Sequence, residues 1–122
     1  MSNSSQLSLI FLLVILSCGK KLPTLENVDL KAWREDRNGC LGYRSTIVDD
    51  ITQQIEKLKA LSEMDLIELF GRPDVNQLLD RNQKIYAYYL EPGPACDNSK
   101  PEPRQLVLRI NAMGLAKETL IK

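Results

Sequence analysis

The sequence predicts an α+β domain, with two helices packed on one face of an antiparallel β-meander of three strands, or four if a short edge segment pairs. Two observations carry this reading. Residues 84–121 read KIYAYYLEP, a Pro-rich loop, RQLVLRINA, a Met113-Gly114 turn and LAKETLI. Runs rich in Tyr, Val, Ile and Leu thus alternate with breaks rich in Pro, Gly, Asn and Asp, the pattern of strands and turns. Upstream, between residues 43 and 70, the apolar positions recur at helical spacing instead. The length of 122 residues fits one domain, whose core is adequate but small once the first residues are set aside.

The first element is a ten-residue apolar run, LSLIFLLVIL, from Leu7 to Leu16. It is well short of the ~20 residues a membrane-spanning helix needs and has the length of a signal-peptide h-region. Ile15-Leu16-Ser17-Cys18-Gly19 follows at once and resembles the bacterial lipobox. Residues 1–17 are therefore expected to be a lipoprotein-type signal peptide and Cys18 the lipidation site. Acyl chains on that cysteine would anchor the protein to a membrane. Gly19 is not Asp, so by resemblance to Gram-negative lipoproteins the address is the outer membrane, facing the periplasm. The polar, aperiodic stretch 18–28, with Pro23, reads as a tether, and 29–122 as the single domain.

DLKAWREDRNGC brings Trp33, the only Trp, and ends at Cys40. Trp33 reads as a packing anchor that lays this arm on the second face of the sheet. Asp36, Asn38 and Gly39 lack the rest of a calcium loop and read as a turn. Tyr43, Ile47, Ile51, Ile55 and Leu58 form one stripe of a helix over residues 42–60, with Thr46 and Asp49 as a competing capping box. In the second helix Ser62 caps, Asp65 answers it, Leu66, Ile67, Leu69 and Phe70 form the apolar face, and Gly71 with Pro73 stops it. VNQLLDRN, before Lys84, is the short edge strand and its turn.

Composition removes several function classes. Sixteen Lys and Arg balance sixteen Asp and Glu, which is not the footprint of a nucleic-acid binder. Histidine is absent, so Ser-His-Asp and Cys-His nucleophiles and His-ligated metals are excluded. Two cysteines without His do not make a zinc site, and no cofactor motif occurs. The carboxylates left for an enzyme, Glu91, Asp97 and Glu102, lie in or beside a charged loop and read as solvated, so no catalytic residue is assigned. A cleft pair with raised pKa values would reverse that.

Leu106, Leu108 and Ile110 alternate with Val107, Arg109 and Asn111, and the first set should face the helices. The preceding strand is ambiguous: Tyr86, Tyr88 and Leu90 share one face, and Ile85, Ala87 and Tyr89 the other. The sheet face away from the helices, with Arg109, Val107, one of the Tyr86, Tyr88 and Tyr89 sets and the Trp33 arm at its border, is the candidate partner surface. Tyr and Arg are favoured at interface hot spots.

The segment Leu61 to Pro73, LSEMDLIELFGRP, followed by a Tyr-rich strand, a long loop, a strand ending in Asn111 and the Gly114 turn, resembles the SmpA/OmlA (BamE-like) family of small outer-membrane lipoproteins. The resemblance runs from about residue 55 to the end and includes the Cys18 lipid site. It implies two helices on a three-stranded antiparallel sheet, and a role in supporting β-barrel protein assembly. The chain departs from the family in its Trp33 to Cys40 arm and its extra cysteines. With Cys18 lipidated, Cys40 and Cys96 remain as a pair bound for an oxidising compartment, either disulfide-bonded or as two inert thiols. A bond would stabilise the fold by about 4 kcal/mol on the chain-entropy model.

The expected function is that of a non-enzymatic envelope lipoprotein, held to the membrane by its lipid and binding a protein partner. The alternatives are an enzyme-inhibitor or immunity-type binding protein, and a carrier of a small hydrophobic ligand in a cavity between sheet and helices.

Overall fold

The computed structural model describes residues 22–122; the apolar run and Cys18 lie outside the described residues. Four short helices precede a four-stranded sheet. They are α1 (Leu30–Glu35), α2 (Tyr43–Thr46), α3 (Val48–Gln53) and α4 (Glu63–Phe70), with single 3₁₀ turns at Arg37–Gly39, Ile55–Leu58 and Asp80–Asn82. The strands β1 (Val75–Leu78), β2 (Lys84–Tyr89), β3 (Gln105–Ile110) and β4 (Ala116–Ile121) pair antiparallel in chain order, so the meander is as read from the sequence and the edge strand does form.

The helix expected over residues 42–60 is broken into α2, α3 and a 3₁₀ turn. Ile47 and Gln54 sit at the breaks, with φ of −118° and −112°. Local side-chain bonds explain the interruption. Ser45 Oγ donates to the Gly42 carbonyl and Thr46 Oγ1 to that of Tyr43, so Thr46 turns back instead of capping toward Asp49. The β-branched run Thr46-Ile47-Val48 weakens the helix further. In contrast α4 is bounded as expected. Ser62 Oγ accepts from the Asp65 amide at 3.1 Å, Asp65 Oδ2 accepts from the Ser62 amide at 3.1 Å, and Gly71 ends the helix at φ 77°.

Register assigns the sheet faces. Tyr86 stands opposite Leu108 and Tyr88 opposite Leu106, so these four, with Leu90 and Ile110, point at the helices and are buried. Trp33 joins them. Its ring lies 5.0 Å from Phe70 and 5.9 Å from Tyr88, fully buried on the helix side. The arm therefore does not cover the second face of the sheet, which corrects the expectation from sequence. Five apolar or aromatic side chains of β2 and β3, with Leu90 just after β2, already fill the helix side, and the Trp33 ring completes that layer.

The stretch read as a tether is partly docked. Leu25 is buried, the Glu26 amide donates to Gln54 Oε1, Gln54 Nε2 donates back to the Glu26 carbonyl, and Lys57 Nζ reaches the Thr24 carbonyl at 2.9 Å. Leu22 and Val28 pack against the same core as Leu25, but Pro23 and the polar residues between them keep the stretch from reading as an element.

Candidate interaction surface

The uncovered face of the sheet is built by the residues that alternate with the core. Reading across the strands, Leu120 stands opposite Val107, Val107 opposite Ala87, and Ala87 opposite Val75, a continuous apolar row over all four strands. Beside it runs Glu118, Arg109, Ile85 and Gln77, and at the other side Gln105 and Tyr89. Leu120 is 41% exposed, Arg109 is exposed, Val107, Val75, Ile85 and Tyr89 are half-buried, and Ala87 at the centre of the row is buried. Arg109 Nε donates to Gln83 Oε1 at 3.2 Å and has no carboxylate partner among the described residues.

Of the residues expected at this surface, the structure brings together Arg109, Val107 and Tyr89. Tyr86, Tyr88 and Trp33 are buried on the other face, a correction that follows from the period of two: only one of the tyrosine sets can share a face with Arg109. Tyr88 donates to the Gly71 carbonyl at 2.7 Å, and burial pushes its phenol well above the usual range. Tyr86 donates to Glu63 Oε1 at 2.7 Å and is raised to about 12, first by burial and then by that carboxylate. Glu63 in turn is held down by the Lys84 ammonium at 2.8 Å and by Tyr86. Asn111 does not line the open face; its Oδ1 accepts the Met113 and Leu115 amides and shapes the Gly114 turn.

One border of the face is fixed by the disulfide. Cys40 and Cys96 are bonded, with Cα atoms 5.4 Å apart, inside the range a disulfide needs. The bond ties the turn after α1 to the Pro92–Pro103 loop. Gly93 donates to the Asn38 carbonyl at 2.9 Å, and a Cβ on Gly93 would lie 2.7 Å from the Tyr89 ring. Glu91 clamps the same loop from its other end. Its carboxylate accepts the Arg104 amide at 2.9 Å and the Lys100 ammonium at 2.9 Å, which together hold it well below the usual carboxylate range, at about 2. A general acid needs the opposite shift, and Asp97 and Glu102 are exposed.

The largest polar constellation was not anticipated. Arg44, 1% exposed, pairs with Asp74 at 2.7 Å, donates from Nε to the Trp33 carbonyl at 3.1 Å and from Nη1 to the Tyr89 carbonyl at 3.1 Å, and lies over the Trp33 ring at 4.5 Å. Asp74 also accepts the Asn38 and Tyr89 amides, and the fully buried Asp36 accepts those of Leu41 and Arg44. This knot joins the arm, the helices and β2 without opening to solvent, so its role is positional. A signal for it existed: Arg44, Val48 and Ile51 are spaced as a helical stripe, and all three are buried.

No protein-family model matches the chain, and no curated protein does. One solved structure, described as an osmotically inducible lipoprotein, OsmE, is similar at 19% identity and a TM-score of 0.40, over 61% of this chain and 84% of that one.

Proposed function

We propose that the protein is a non-enzymatic lipoprotein of the bacterial cell envelope, anchored through Cys18 to the outer membrane on its periplasmic side, which binds a protein partner on the open face of its sheet. The observation that carries the reading is the apolar row on the helix-free face, exposed Leu120 with half-buried Val107 and Val75 around a buried Ala87, beside the unpaired Arg109. Sequence supports the anchor through Ile15-Leu16-Ser17-Cys18, and the Cys40–Cys96 bond suits an oxidising compartment. Support of β-barrel assembly is the finer reading, drawn from the resemblance of Leu61 to Pro73 and the strands that follow.

The test is a photo-crosslinking residue placed at Leu120 or Arg109, and separately at Lys57 on the helix side, in cells. Discrete protein adducts from the first two positions and none from Lys57 are expected. Adducts only at Lys57 would overturn the assignment of the face. A soluble enzyme as the adduct would replace the envelope role with that of an inhibitor.

A further inference from the structure

The two edges of the sheet are guarded differently. On β4 the start of the strand is covered by the segment before α4: Ala60 donates to the Ala116 carbonyl, Ala116 donates to that of Leu61, and Ser62 bridges to Leu115. Farther along, β4 carries Lys117 and Glu118, and charged side chains discourage pairing with a further strand. The other edge, β1, reads Val75-Asn76-Gln77-Leu78, without a charge, a proline or a bulge inside it.

Register shows which of its backbone groups are free. Leu79 donates to the Gln83 carbonyl at 2.8 Å, so the hydrogen-bonded pairs alternate back from there through Gln77 and Ile85 to Val75 and Ala87. The N–H and C=O groups of Asn76 and Leu78 then point outward from the sheet. Their side chains lie on the helix side, where α4 does not reach over them, and Leu78 is 75% exposed. Across from β1, α4 exposes Met64, also at 75%, and half-buries Ile67. Between α4 and the first half of β1 runs an open groove of about 500 Å³, lined by Met64, Ile67, Asn76 and Tyr86 and ending at Arg72 and Pro73. Arg72 is exposed and forms neither an ion pair nor a side-chain hydrogen bond among the described residues.

We propose that β1 and this groove form a second binding site, which takes an extended protein segment as a fifth, antiparallel strand with an acidic residue at its C-terminal side. Backbone groups of the segment pair with Asn76 and Leu78, and alternate apolar side chains lie beside the exposed Leu78 and enter the groove against Met64 and Ile67. An antiparallel segment ends beside the start of β1, so its C-terminal carboxylates meet the Arg72 guanidinium, which is built for bidentate pairing. Charge complementarity selects this occupant: the groove contributes one unpaired cation and no unpaired carboxylate, so a basic segment is disfavoured. The site is separate from the open face, because the groove side chains lie on the helix side of β1.

The probe is a synthetic octapeptide of alternating Thr and Val ending in two Asp residues, titrated into the isotope-labelled full chain in detergent micelles. The expected result is saturable shifts of the Asn76 and Leu78 amides, with at least tenfold weaker binding for Arg72→Glu and for the same peptide ending in two Lys residues. Leu78→Lys should weaken binding with the other sheet amides unmoved, which shows that the fold persists. Shifts confined to β4 or to the open face would overturn the proposal, as would equal binding by Arg72→Glu or no saturable shift. A photo-crosslinking residue at Leu120 gives the same adducts in the Arg72→Glu protein, so loss of this site and loss of the open-face function read out separately.

Discussion

Arg44 carries a full charge into the core, and its surroundings say what that charge does. A buried ion pair contributes little net stability against an apolar pair of the same shape, but removal of one partner strands the other. Arg44→Met should therefore destabilise the fold by about 3–5 kcal/mol, measured by urea denaturation, because Asp74 is then buried without its cation. With Asp74→Leu added, the double variant should be less damaged than the sum of the two singles, by a coupling of about 0.5–3 kcal/mol. Glu91 makes a different prediction. Its folded pKa lies below the unfolded value near about 4.3, so its contribution is present above that pH and is lost as the pH falls toward 2. Amides of the Pro92–Pro103 loop should lose protection, measured against the intrinsic exchange rate at each pH, below pH ~4.3 in the wild type, whereas Glu91→Gln should show the lower protection already at neutral pH.

At the scale of elements, legibility followed period. The strands and α4 were readable because Leu106, Leu108 and Ile110 alternate and because Ser62, Asp65 and Gly71 mark both ends of one helix. The broken helix was not. Tyr43, Ile47 and Ile51 keep helical spacing through the interruption, since α2 and α3 continue nearly the same direction of burial while hydroxyl bonds at Ser45 and Thr46 break the backbone ladder. The open face was half legible: alternation placed Val107 and Arg109 together, but only register could choose Tyr89 over Tyr86 and Tyr88. The face that the arm covers is not legible, because Trp33 has no periodic neighbours to orient it. Its true position changes what the disulfide does. Trp33 is held by Phe70, Tyr88 and Arg44 independently of Cys40, so reduction should release the Pro92–Pro103 loop and leave the arm in place. Trp33 fluorescence should keep its buried emission in reductant while loop amides lose protection. A red-shifted Trp33 before loop exchange would reverse that order.

For the whole molecule, the docking of residues 24–26 sets the geometry of the proposed anchor. Lys57 and Gln54 pin the chain on the helical layer, opposite the open face. The buried Leu25 lies seven positions after Cys18, a reach of at most about 25 Å. Under the proposed anchor, an acyl group on Cys18 would hold the helical layer within that reach of the bilayer, with the sheet face on the side away from it. Cys18→Ser should move the protein from the membrane fraction to the soluble fraction without altering its melting temperature, and should sharply reduce the adducts formed from Leu120. Leu120→Asp should do the converse: normal membrane retention, and fewer adducts from a crosslinker at Arg109. If the soluble Cys18→Ser protein forms the same adducts in the same yield, anchoring has no part in partner choice. If Cys18→Ser stays in the membrane fraction after an alkaline carbonate wash, the protein is held there by something other than its lipid, and the orientation argued from residues 18–25 fails.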